Sequence, residues 1–212
     1  MIKNIVFDMG NVLICFDPEK TLRKYTDDEN DIKLILDKFY KSELYRDIDR
    51  GLKTHSEVID LISPYLTDSA VRLLKKLYAE ECFGRTNMPA ADGMYELISE
   101  LNSNGYGTYL LSNAGYDFYD YSKDIPAISI LKGGVVSCDL HLLKPEREIY
   151  ISLLDKYSLK ADECLFIDDL EENVEGAREC GMDAICYSSF KDGVDSLRRS
   201  LILKGVNIKE CT

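Results

Sequence analysis

Asn4-Ile5-Val6-Phe7-Asp8-Met9-Gly10-Asn11 is the stretch on which the fold is decided: four residues of short apolar run, then a carboxylate, then a glycine turn. A run of this length cut off by polar and glycine residues is the pattern of a strand buried on both faces. Working outward, three more runs share it, at 107–111, 164–167 and 184–187. Helical spacing separates them. Residues 91–103 carry Met94, Leu97, Ile98 and Leu101 and stop at Asn104-Gly105; 146–157 begins just after Pro145; 170–180 ends at Gly181; 194–203 keeps the same period. Strands alternating with helices predict a parallel sheet with crossover helices. The expected fold class is α/β, a three-layer Rossmann-like core with a central parallel sheet.

The segment between the first two runs differs. It contains no convincing strand, and residues 18–25, 28–40, 54–62 and 68–82 read as helices. Thr54 and Glu57 have capping-box spacing. Asp27-Asp28-Glu29-Asn30-Asp31 reads as a solvated helix start. The expected organisation is a catalytic core of residues 1–16 and 85–212, with a small all-helical cap, residues 17–84, inserted after the first strand. Ligands of open parallel sheets bind beyond the carboxyl ends of the strands, where this insertion emerges, so it is placed to act as a lid.

Composition narrows the chemistry. The 212 residues suffice for one filled domain with a small insertion. A net charge of −12 and a pI near 4.7 argue against nucleic acid and anionic membrane as partners. An anionic substrate would then need a placed Lys or Arg, or a metal. Seven cysteines (Cys15, Cys82, Cys138, Cys164, Cys180, Cys186, Cys211) form no C-x-x-C, and with only His55 and His141 there is no zinc pattern. Most are expected as small buried hydrophobes, unpaired as in a reducing cytosol. The amino-terminal run is too short for a signal peptide, and no window reaches the length of a membrane span. The expected location is cytoplasmic.

The polar residues just past the strand ends carry the chemistry. Asp8 follows the first run, Ser112 and Asn113 the second, Asp168 and Asp169 the third; Lys144 stands before Pro145 and a helix. Taken singly, an Asp here reads equally as a helix cap, Ser112-Asn113 as a turn and Lys144 as surface. Taken together, three carboxylates at one sheet edge stay ionised only around a cation. Oxygen-only ligands select a hard ion, magnesium where phosphate is present. Ser112, Asn113 and Lys144 could donate to phosphate oxygens, and a carboxylate can itself be the nucleophile.

These residues resemble the four motifs of the haloacid dehalogenase superfamily, in order: Val6 to Leu13 around Asp8, Leu110 to Asn113, Leu143 to Tyr150 around Lys144, and Leu165 to Asn173 around Asp168-Asp169. The resemblance covers nearly the whole chain, including a cap at the type-one position. It implies Asp8 as nucleophile and metal ligand, the Gly10 carbonyl as metal ligand, Ser112 and Asn113 as phosphate binders, Lys144 as the neutralising cation, and Asp168 and Asp169 as magnesium ligands, Asp168 directly or through water. The implied activity is a magnesium-dependent phosphatase working on a small phosphorylated metabolite through an aspartyl-phosphate, the chain acting as monomer or homodimer.

One position departs. The family's usual first motif carries a second Asp, a general acid and base, where this chain has Gly10. The Asp-x-Gly-Asn-Val-Leu variant is similar to a subgroup whose characterised type hydrolyses glucose 1-phosphate. General acid catalysis contributes typically about 10²–10⁴-fold, so a good leaving group or another acid must compensate; Asp17 is the candidate by position. Arg46, Arg50 and His55 are substrate-pocket candidates by type, His55 also reading as a helix-start residue. Tyr116, Phe118, Tyr119 and Tyr121 read as packing or as the cap interface, and His141 as structural. The other readings are a catalytically weak phosphate-binding or regulatory protein, which the missing acid keeps open; a phosphoglucomutase-like phosphotransferase, which needs the missing acid; and a 2-haloacid dehalogenase, which has no use for Asp168-Asp169 as metal ligands.

Overall fold

The computed structural model describes residues 1–79 and 87–209. Its sheet has five strands, all parallel: β1 (Asn4–Phe7), β2 (Gly107–Ser112), β3 (Gly133–Val136), β4 (Cys164–Asp168) and β5 (Asp183–Cys186), in the order β3-β2-β1-β4-β5. The α/β class with a central parallel sheet is as expected. The sequence pattern missed β3, whose Gly-Gly-Val-Val lacks a continuous apolar run; Gly134 is needed because a Cβ there would come within 2.6 Å of the Leu110 side chain on the neighbouring strand. The last strand begins one residue earlier than the pattern suggests.

Alternation along β1 divides the interior. Ile5 and Phe7 face one apolar cluster with Leu97, Leu101, Leu197 and Leu201, from helices α6 (Met94–Ser103) and α9 (Ser189–Leu203). Val6 faces the other, with Phe166, Ile149, Leu153 and Val174, from α7 (Arg147–Tyr157) and α8 (Glu171–Glu179). Helices thus cover both faces, and each fully buried Phe or Leu contributes about 1.5–3 kcal/mol. The helix expected at 194–203 corresponds to the part of α9 beyond Gly193, whose φ of 69° interrupts it.

Between β1 and α6 the described elements are helical: α1 (Pro18–Leu22), α2 (Glu29–Ile35) running into a π-helical turn (Leu36–Tyr40), α3 (Glu43–Asp49), α4 (His55–Ile62) and α5 (Asp68–Ala79). The Thr54–Glu57 capping box is formed. The sequence pattern does not predict helix α3; Ser42 caps it by accepting the Tyr45 N–H at 3.1 Å. Its apolar residues are too few to show a period. The far end of the helix expected at 68–82, the cap boundary at 84/85, Cys82 and Cys211 lie outside the described residues. The apolar cluster under Phe7 runs on through Val12, Ile14 and Leu22 to Phe39, Ile59 and Leu74.

Among the described cysteines all are free. Cys138 and Cys164 are buried as expected, Cys15 and Cys180 only partly, and Cys186 is exposed because β5 is an edge strand. No described helix is long and apolar enough to cross a membrane.

Candidate active site

Register builds the site. Phe7 pairs with Leu110 on one side and Ile167 on the other, so Asp8 and Asp168 come one step later at the same level on adjacent strands. Parallel neighbours lie about 4.8 Å apart, which forces the two carboxyls together. Lys144 resolves the conflict. Its Nζ donates to Asp8 Oδ1 at 2.5 Å and to Asp168 Oδ2 at 2.6 Å, with the Lys144 side chain only 1% exposed and the ammonium 5.4 Å from the Phe166 ring centroid. Burial pushes the Asp8 carboxyl well above the usual range, Lys144 drawing it down and Asp168 pushing it further up. Burial also pulls the Lys144 ammonium down, but the two carboxylates outweigh it and hold it above its ordinary value.

Asp169 completes the group: one carboxylate oxygen each from Asp8, Asp168 and Asp169 lie within 4.8 Å of one another. Burial raises the Asp169 carboxyl. Three carboxylates against one ammonium leave two negative charges uncompensated, the charge of one divalent cation, and the donors are all oxygen, as a hard ion requires. The residues therefore fit a magnesium ion. Asp168 is the least available of them. Its Oδ1 already accepts the Leu170 N–H and the Asn173 amide, both at 2.9 Å, and its Oδ2 takes Lys144.

Two residues to which the sequence reading assigned no role hold this arrangement. Asn11, at φ 54°, donates from Nδ2 to Asp169 Oδ2 at 3.0 Å and accepts the Phe16 N–H at 3.1 Å. Asn173 fixes Asp168. The left-handed tolerance of Asn after a glycine is the one sequence cue to the former. Ser112 ends β2 with its hydroxyl buried and without a hydrogen-bond partner among the described residues. Asn113 lines the cavity, but its side chain holds both backbone polar groups of Lys144.

Above these groups lies a cavity of about 300 Å³. Asp8, Gly10, Asn113, Lys144 and Asp169 line it together with Tyr45, Asp49, His55 and Tyr78 from the helical insertion and Asp117 and Tyr121 from the segment after β2. His55, the first residue of α4, stacks on Tyr78 with ring centroids 4.1 Å apart, and burial lowers its pKa.

Other candidates fall elsewhere. Asp17 is exposed and caps α1, accepting the Lys20 N–H at 2.9 Å, so it is not the acid at this site. Arg46 is exposed beside Glu43. Arg50 pairs with Glu146, and His141 Nδ1 lies 2.7 Å from the Arg50 carbonyl, so these two tie α3 to the core rather than meeting a ligand. Phe118 and Tyr121 are packed; Tyr116 and Tyr119 are largely exposed, Tyr119 donating to Asp139.

Residues 2–181 match the hydrolase family described as haloacid dehalogenase-like hydrolase. The chain belongs to that family. It has an α/β fold with a central parallel sheet. It is 27% identical over 129 residues to flavin mononucleotide hydrolase 1 of Arabidopsis thaliana, which covers 61% of this chain and 51% of that protein. It is 24% identical to the D-ribitol-5-phosphate phosphatase of Bacteroides thetaiotaomicron, over 86% of this chain and 90% of the relative. A match to the bifunctional epoxide hydrolase 2 of Rattus norvegicus, 28% identical, covers 55% of this chain and 22% of that protein. The chain thus spans about half or less of the length of the first curated relatives it matches. Among solved structures, a HAD-like family hydrolase from Porphyromonas gingivalis superposes with a TM-score of 0.71 at 25% identity, covering 95% of this chain and 98% of that one. A HAD family enzyme of B. thetaiotaomicron, in complex with magnesium and inorganic phosphate, gives 0.68 at 22% identity over 91% and 97% of the two chains; this likeness shows the fold.

Proposed function

We propose that this hydrolase is a magnesium-dependent phosphatase of a small phosphomonoester, with Asp8 as nucleophile. The observation that carries the reading is the Asp8–Lys144 contact of 2.5 Å at the cavity floor, beside two further carboxylates. Lys144 holds one Asp8 oxygen and orients the carboxyl; the other attacks phosphorus, giving an aspartyl-phosphate that water cleaves. Asp8, the Gly10 carbonyl and Asp169 would hold magnesium, with Asp168 acting through Lys144 or a water. When bound, the ion supplies charge neutralisation that lets an anionic nucleophile meet an anionic ester. The buried Ser112 hydroxyl, without a hydrogen-bond partner among the described residues, would be the donor to a phosphate oxygen. Residues 17–84 would work as a cap over this floor, cytoplasmic location being part of the same proposal.

The cavity also bears on the substrate. At about 300 Å³ it is at the small end of ligand pockets, roughly 300–1,000 Å³. Lys144 is the one Lys or Arg among the described residues that line it, while Asp49 and Asp117 line it as well. That favours a neutral, hydroxyl-bearing leaving group, a sugar or polyol such as a hexose 1-phosphate or a pentitol phosphate, over one bearing a second anion. The phosphatase relatives support the same class. The experiment is hydrolysis of p-nitrophenyl phosphate with and without magnesium, followed by a sugar-phosphate panel. Magnesium-dependent turnover is expected. Chloride release from chloroacetate without metal would make it a dehalogenase, and phosphate binding without turnover a binding protein.

A further inference from the structure

Gly10 leaves the first motif without an acid, and no crowding explains the glycine. A Cβ built there would meet only Asp8 Oδ2, at 3.9 Å. The proton for the leaving group must therefore come from elsewhere in the cavity, if the reading of a phosphatase under Proposed function holds, on which this inference rests.

The end of α3 is tied to the core at three consecutive residues. The Asp49 carbonyl accepts the Ser137 hydroxyl at 2.5 Å, and Ser137 Oγ accepts the Ala114 N–H at 2.9 Å, next to Asn113. Arg50 pairs with Glu146, two residues past Lys144. Gly51, at φ 70°, lies so close to the core that a Cβ would come 2.7 Å from the Cys138 carbonyl and 2.9 Å from the Tyr116 ring. This part of the helical insertion is seated firmly. The Asp49 side chain is the opposite. It lines the cavity with Asp8 and Lys144, and among the described residues no hydrogen bond or ion pair engages its carboxyl. A rigid backbone carrying an unengaged acid into the reaction cavity is how a proton donor is positioned.

We propose that Asp49 is the general acid and base that replaces the acid missing at Gly10. As Asp8 Oδ forms its bond to phosphorus, the bond from phosphorus to the leaving oxygen breaks with its electron pair on that oxygen. The Asp49 carboxyl gives its proton to it, releasing a neutral alcohol. The Asp49 carboxylate then takes a proton from the water that attacks the aspartyl-phosphate; phosphate leaves, Asp8 returns as carboxylate and Asp49 as acid. Burial raises the Asp49 carboxyl to about 7, with Asp117 and Asp8 adding to the rise and Arg46 and Lys144 opposing it; Tyr45 and Tyr121 also feel its charge. It can thus carry a proton near neutral pH. Apart from Asp8 and Asp169, Asp117 is the other acid lining the cavity among the described residues, but the strongest charge acting on it is His55, not Lys144 or Asp8.

Leaving groups of different acidity test this in the magnesium-loaded enzyme. The measured quantity is kcat/KM, which covers the step in which the alcohol departs. Asp49→Asn should cut kcat/KM for phenyl phosphate roughly 10²-fold or more, yet change it only a few-fold for p-nitrophenyl phosphate, whose leaving group needs no proton. Its activity on the nitrophenyl ester also reports that the variant folds. Adding Gly10→Asp to Asp49→Asn should restore part of the phenyl phosphate rate. In the wild type, an alkaline limb should appear for phenyl phosphate and be weak for the nitrophenyl ester. Equal losses on both esters in a folded variant, or matching alkaline limbs in the wild type, overturn the assignment. A wild type that hydrolyses neither ester with magnesium would instead remove the phosphatase reading.

Discussion

The side chain of Asn113 bonds both backbone polar groups of Lys144: its Nδ2 donates to the Lys144 carbonyl at 3.1 Å, and its Oδ1 accepts the Lys144 N–H at 2.9 Å. The loop after β2 thereby fixes the base of the lysine whose ammonium reaches Asp8 and Asp168. Two motifs 31 residues apart act as one unit.

Asn113→Ala should therefore act on geometry. The ammonium keeps both carboxylate partners, so the fold should hold. Its placement against Asp8 should loosen, and a displacement of about 1 Å at a reacting group can cost roughly 10²-fold. The expected result is a kcat lowered about 10- to 100-fold with a smaller change in KM. A variant losing phosphate affinity alone, at unchanged kcat, would show that Asn113 serves the ligand directly.

Asp8→Asn is the clean test of covalent catalysis. Replacing Lys144 instead would leave Asp8 and Asp168 facing each other, and breaking a buried pair costs roughly 3–5 kcal/mol, so lost activity there would be confounded with lost stability. Asp8→Asn leaves Lys144 paired with Asp168. Turnover of p-nitrophenyl phosphate should fall by at least about 10³-fold with an unchanged circular dichroism spectrum. Activity near that of the wild type would eliminate Asp8 as nucleophile.

What could be read in advance followed from how much of each element is local. Strands β1, β2 and β4 are buried on both faces and show as apolar runs, and the polar residues that end them could be placed before any contact was known. Strand β3 has two glycines because the Leu110 side chain presses on Gly134 and the Tyr157 ring on Gly133, causes that lie on another strand and on α7. Helix α3 is too short to show a period, and its worth is positional: Ser137, Glu146 and Cys138 seat it, all some ninety residues away. The same holds for Asp49. Nothing in Asp47-Ile48-Asp49 separates one acid from the other; only the fold turns Asp49 to the cavity and pairs Asp47 with Lys53. Asp17 was attractive by position, but a local use, the cap of α1, occupies it.

Asn11→Gly should weaken magnesium binding without touching a proposed ligand side chain. Glycine keeps the φ of 54° at no steric cost, so the change removes only the side chain that holds Asp169 Oδ2 and the Phe16 N–H. Loss of such an outer partner typically lowers metal affinity about 10–100-fold. A magnesium titration of activity, and of thermal stability in the absence of substrate, should both shift by that factor. Coincident wild-type and variant curves would detach Asn11 from the metal site.

Stability of the metal-free protein should fall as pH rises from about 4 to about 8. Asp49 is held at about 7, against 3.8 in the absence of burial, and burial raises Asp8 and Asp169 in the same direction. Between these values the folded chain binds more protons than the unfolded one, so their contribution is complete below about pH 4 and is lost as pH passes the raised values. His55 acts oppositely: burial lowers it, so its contribution is present above its ordinary 6.5 and is lost as pH falls through the lower folded value. Burial raises Asp117 as well, and these four carboxyls outweigh one imidazole. Melting temperatures taken from pH 5 to 8 in chelator should decline, and Asp49→Asn should flatten that decline. Added magnesium should raise the melting temperature more at pH 8 than at pH 5, because the carboxylates it would neutralise are then ionised. A melting temperature that climbs across the window in chelator, unaltered by Asp49→Asn, would mean that these carboxyls are ionised in the folded protein at ordinary pH.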